Sequence, residues 1–177
     1  MRDPESVARG LCLRALTGAP KTRQQLADLL SKRGVPESAA VAVLDRFGEV
    51  GLIDDAAFAR AWVSSRQAGR GIARRALTAE LRAKGVDPEV AAQAVEAVDD
   101  EDERVAARQL VERRVRGMTR LDRTTASRRL IAMLARKGYG GGLAAAVVRD
   151  ALDRSPLSGT VEDHVDDGEV DEDALLP

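Results

Sequence analysis

Histidine and cysteine are nearly missing from this 177-residue chain, which holds one of each, His164 and Cys12. That removes the raw material for thiol or imidazole catalysis and for His/Cys zinc sites. It also excludes a disulfide framework, which suits a reducing compartment. Aromatics are scarce too: Phe47, Phe58, Trp62 and Tyr139 are the whole set. Four rings do not furnish a base-stacking platform for single strands, and the core has to be built from Leu, Val, Ile and Ala. No uncharged run approaches the ~18 residues needed to cross a bilayer, and the N-terminal MRDPESVARG lacks an apolar signal region. No membrane contact is expected, and the expected location is the cytoplasm. The phosphate-binding glycine loops, the metalloprotease H-E-x-x-H and the hydrolase nucleophile elbow are absent as well. The chain is therefore expected not to be an enzyme and to need no cofactor or metal. Cys12, between Leu11 and Leu13, reads as a small buried thiol, and His164 as a solvated residue among acids.

What is present is charge, sorted along the chain. Residues 1–153 carry 27 Lys and Arg against 21 Asp and Glu, whereas 154–177 carry one Arg and eight acids. Within the body, 60–84 has seven bases and one acid, 87–103 has eight acids and no base, and 104–137 has eleven bases and two acids. The net charge of -1 hides these blocks. They point to a polyanionic partner, with an acidic segment competing for the basic one. The run Asp99 to Glu103 reads as first-turn acids of a helix rather than a cation site, because consecutive helical residues point in different directions.

A phrase recurs. LSKRGV at 30–35, LRAKGV at 81–86 and LARKGY at 134–139 end on Gly34, Gly85 and Gly138, 51 and 53 residues apart. With each glycine just past a helix, the residue four before it and the residue after it are the apolar pair of a Schellman cap: Leu30 with Val35, Leu81 with Val86, Leu134 with Tyr139. Thr22 with Gln25 fits a capping box, Asp87-Pro88 fits an N-cap with proline at N1, and Pro36 is a poorer cap. Asp54 reads as an N-cap with Ile53 and Phe58 as a hydrophobic staple, and Trp62 follows Phe58 on one helical face, read as core. Helices are expected at 5–16, 22–33, 37–48, 54–68, 71–84, 88–98, 100–117, 123–137 and 142–153, with no strands. The fold expected is all-α: three tandem three-helix, helix-turn-helix-like repeats (1–50, 51–98, 99–153) in an elongated, curved body. The acidic tail 154–177 is expected to be disordered.

GLIDDAAFARAWVSSRQAGRG at 51–71, followed by ARRALTAELRAKGVD at 73–87, resembles the RecX family of bacterial recombination regulators. RQQLADLLSKRGV (23–35), VLDRFGEVGLID (43–54) and SRRLIAMLARKGYG (127–140) agree with it. The resemblance covers nearly all of 8–153. It implies a helical protein lying in the groove of the RecA filament on single-stranded DNA. Such a protein hinders strand exchange, ATP hydrolysis and stimulated repressor self-cleavage. The family carries no catalytic residues. Expected partners are the RecA nucleoprotein filament and single-stranded DNA, directly or through RecA, with the protein a monomer. Two other readings stay open: a DNA-binding helical protein or transcription factor independent of RecA, and a passive scaffold. The expected contact residues are Arg66, Arg70, Arg74 and Arg75 in the second repeat, and Arg113, Arg114, Arg128 and Arg129 in the third. Charge reversal at Arg74 and Arg75 is expected to weaken filament binding without altering helicity.

Overall fold

The structure is a computed structural model that describes residues 3–155, so the acidic tail beyond them and its expected disorder lie outside the described residues. The described residues form helices and no strand. The first group is α1 (Pro4–Gly18), α2 (Arg23–Lys32) and α3 (Glu37–Glu49); the second is α4 (Asp55–Arg70), α5 (Arg74–Ala83) and α6 (Pro88–Glu96); the third is α7 (Asp100–Val115), α8 (Arg123–Arg136) and α9 (Gly141–Asp153). Extensive helix-to-helix packing lies inside each group. Each has its own core, around Leu26, Leu30 and Phe47, around Leu77, Leu81 and Val98, and around Val111, Leu130 and Leu134.

Local chemistry sets the helix ends. Thr22 and Gln25 make the full capping box, Asp54 accepts from the Ala57 N–H, and Asp87 accepts from Glu89 and Val90. Pro36 makes no side-chain cap bond. All three glycine phrases are Schellman corners: Val35 N–H donates to Leu30 O, Val86 to Leu81 O and Tyr139 to Leu134 O, each at 3.1 Å. Leu30, Leu81 and Leu134 are fully buried beneath them.

Two expectations need correction. The second helix of the middle group starts at Arg74 rather than at 71, because Gly71 is left-handed (φ 54°) and caps α4, leaving Ala73 extended as the N-cap. Ile53 is not stapled to Phe58. A further left-handed corner at Gly51 sends the Leu52 and Ile53 N–H groups back to Phe47 O, so Ile53 buries in the first core while Phe58 packs on the second.

The groups join through the glycine corners. The Thr22 hydroxyl, itself fully buried, donates to Lys84 O at 2.6 Å, and the Ala73 N–H donates to Lys137 O at 3.0 Å. In both joints the C-terminal corner of a later helix sits on the N-terminus of an earlier one, so opposite helix-dipole ends meet. A carboxylate from the next group completes each: Asp55 accepts from the Arg23 N–H at 2.9 Å, Glu103 from the Arg74 N–H at 3.0 Å. The approach is close. A Cβ on Gly85 would lie 2.2 Å from Gln24 Cβ, and one on Gly138 would lie 2.6 Å from Ala76 Cβ, whereas one on Gly34 would meet nothing within 4 Å.

Candidate functional site

The arginines separate by what already holds them. In the second group, Arg66 Nε lies 3.2 Å from Glu80 Oε2, and its guanidinium sits 4.3 Å from the Trp62 ring centroid. Lys84 Nζ covers the same ring at 4.1 Å, and the Trp62 indole N–H donates to Glu80 at 2.8 Å. Trp62 is thus half-buried beside Phe58, with its polar edge satisfied. Arg74 is committed as well, pairing with Asp100 and with Glu103 Oε2 at 3.3 Å across the joint. Desolvation lowers its pKa, but the hydrogen bonds and charges of Asp100 and Glu103 outweigh that and hold it above the ordinary guanidinium value. The acidic run at 99–103 therefore serves as an N-cap (Asp99, to Asp102 N–H) and as the anchor for Arg74. Arg75 is exposed and pairs with no carboxylate among the described residues. The side chain of Arg70, at the end of α4, lies outside the described residues.

The third group is different. Gly117, Met118 and Leu121 N–H groups bond back to Arg114, Val115 and Met118 carbonyls, which folds the 116–121 turn tightly between α7 and α8. Met118 is buried and pins that turn to the core. Arg113 and Arg114 from the last turn of α7, Arg120 from the turn and Arg129 from α8 then face one cleft of about 560 Å³ with Gly117, Thr119 and Leu121. No carboxylate lines it, and the acids at its edges are engaged: Glu112 lies 3.6 Å from Arg154, and Asp122 accepts from the Thr125 N–H at 2.8 Å. All four arginines are exposed, and none of them pairs with a carboxylate of the described residues.

Three of the four residues expected in this repeat are thus brought together. Arg128 is the exception. It faces a separate cleft with Arg123, Thr124, Ser127 and Arg149, because adjacent residues on a helix point about 100° apart. Arg120 escaped the sequence reading; its only signal was membership of the 104–137 basic block. The arrangement offers fixed positive charge and forked N–H donors, suited to phosphate or carboxylate. Cys12, the single thiol, is fully buried in the first core, and burial pushes its pKa up.

Tyr139 serves packing rather than stacking: it is buried and its hydroxyl donates to Gly71 O at 2.9 Å across the second joint. Burial, aided by the Glu103 charge, pushes its pKa up to about 12. No helix among the described residues is long and apolar enough to cross a membrane.

Comparison with known proteins places this architecture. Residues 8–47, 54–95 and 100–148 match the first, second and third three-helix domains described for RecX. A regulatory protein RecX from Streptomyces lividans is 58% identical over 152 residues, covering 86% of this chain and 81% of that protein. One from Thermobifida fusca is 53% identical over 146 residues, covering 82% and 79%. The crystal structure of RecX from Lactobacillus salivarius shares the fold with a TM-score of 0.77 at 17% identity, covering 85% of this chain and 98% of that one. With three matching domains in order and relatives this similar over most of their length, the chain belongs to the RecX family of regulatory proteins.

Proposed function

We propose that this protein is a non-enzymatic regulator of RecA that binds the groove of the RecA–single-stranded DNA filament. There it mostly inhibits the recombinase, ATPase and coprotease activities. It works as a monomer in the cytoplasm. The observation that carries this reading is the cleft of Arg113, Arg114, Arg120 and Arg129, four guanidiniums without a carboxylate partner among the described residues, on a body of RecX repeats. A filament presents both phosphates and acidic protein surface, and forked cations at fixed spacing suit either. Exposed Arg75 in the second repeat adds to the contact, while Arg66 and Arg74 act inside the molecule.

The test adds purified protein to RecA, ATP and single-stranded DNA. At stoichiometric amounts ATP turnover and filament length are expected to fall, and R113E/R129E to need more protein for the same effect. Unchanged turnover and unchanged filament length overturn the reading. Preference for one duplex sequence over random duplex at moderate salt favours a RecA-independent transcription factor instead.

A further inference from the structure

The last described residues lie next to the arginine cleft. Arg154 and Ser155 line one cleft with Glu112, Val115, Arg116 and Thr119, and Thr119 also lines the cleft of Arg113, Arg114, Arg120 and Arg129. Downstream comes VEDHVDDGEVDED at 161–173, holding eight acids and no base. Its first acid, Glu162, is seven residues beyond Ser155, a reach of up to roughly 24 Å for extended chain. The third RecX domain match ends at residue 148, before this run.

We infer that the arginine cleft is a binding site for an acidic peptide and that its occupant is this chain's own segment 161–173. Charge complementarity is nearly one-sided: among the described residues the cleft has arginines without ion pairs and no carboxylate, and the segment has carboxylates and no Lys or Arg. Carboxylates accept bidentate pairs from guanidinium forks. Tethering does the rest, because a short linker holds the segment at an effective concentration of about 1 mM. If the free peptide binds with a Kd of ~0.1 mM, the cleft is open about one-tenth of the time and any rival anion binds about tenfold more weakly. The segment thereby regulates the cleft used in the function proposed above, and that consequence, unlike the contact itself, rests on that reading.

The test uses the full chain with V170C carrying a nitroxide, since buried Cys12 is shielded from the label. Selective broadening of the Gly117, Thr119, Arg120 and Leu121 amides at 50 mM salt, lost at 500 mM and lost in R113S/R114S/R120S, is the expected result. No broadening, or equal broadening around Gly34 and Arg75, overturns the inference. Broadening that appears only when isotope-labelled and spin-labelled chains are mixed places the tail on a second copy and also overturns it. Neutralising all eight acids to Asn or Gln is then expected to tighten RecA filament binding about tenfold at low salt. An unchanged filament affinity in the presence of the cleft contact leaves the contact standing and removes its regulatory role.

Discussion

Alanine at the glycine corners separates two costs that usually arrive together. Gly34, Gly85 and Gly138 all have positive φ (71°, 79° and 89°), so alanine pays the left-handed backbone penalty of roughly 1–2 kcal/mol at each. Gly34 faces open space, and G34A is expected to lose that amount alone. At Gly138 the new methyl would also lie 2.6 Å from the Ala76 side-chain Cβ and 2.9 Å from the Ala76 main-chain N, atoms of α5 that have no flexible end to swing away. Overpacking of this kind adds roughly 1–3 kcal/mol, so G138A should lose about 2–5 kcal/mol in total. The loss should concentrate at the joint, because the third group keeps its own core and separates from the second, as nearest-neighbour coupling in repeat proteins predicts. Urea unfolding followed by circular dichroism reads both effects. The expected pattern is a single displaced transition for G34A and a larger, broadened or split transition for G138A. Equal losses with unchanged cooperativity would refute the claim that the corners are load points between repeats, and would reduce them to helix terminators.

Other consequences are smaller in scope. R74A removes the partner of half-buried Glu103 and should cost roughly 1–2 kcal/mol in denaturant, whereas R75E should leave stability within ~0.5 kcal/mol; charge reversal at both positions together therefore mixes binding with folding, and R75E alone is the clean probe of contact. In fluorescence anisotropy, single-stranded DNA affinity carried by the four cleft arginines should fall about 50-fold between 50 and 200 mM salt, given a slope of ~0.7 per phosphate neutralised; a flat salt response would show that the cleft does not meet phosphate. Tyr139 titrates near 12 when folded and near 10 when unfolded, so its contribution is fully present below pH 10 and is lost as pH rises toward 12. The urea midpoint should accordingly drop between pH 9 and 11.5, and by less in Y139F; identical pH slopes for the two proteins would contradict the assignment.

The sequence displayed the helix ends with unusual clarity because Schellman corners, capping boxes and Asp-Pro starts are contracts between residues at most five apart. Leu81, Gly85 and Val86 announce one another. What those corners touch was not legible: Gly85 meets Gln24, and Arg74 finds Glu103, across 61 and 29 residues, and no local pattern encodes such pairings. The same gap explains Ile53, whose staple position toward Phe58 is correct on paper and is overruled by the Gly51 corner. For the candidate site, the basic blocks were visible but the sorting of arginines was not. Arg66 and Arg74 look identical to Arg113 and Arg114 until the carboxylates facing them are known.

The two joints also set the starts of α2 and α5 apart from the start of α8. Thr22 offers an incoming corner carbonyl a hydroxyl and Ala73 offers it a bare N–H, but the matching position on α8 is Asp122. The Thr125 N–H holds that carboxylate below the usual carboxylate range, so it is ionised at neutral pH. A corner carbonyl brought against that side chain would meet a full negative charge, whereas α2 and α5 meet theirs with neutral donors. The three helix starts, alike in position, thus differ in polarity: two are receptive to a carbonyl and one repels it.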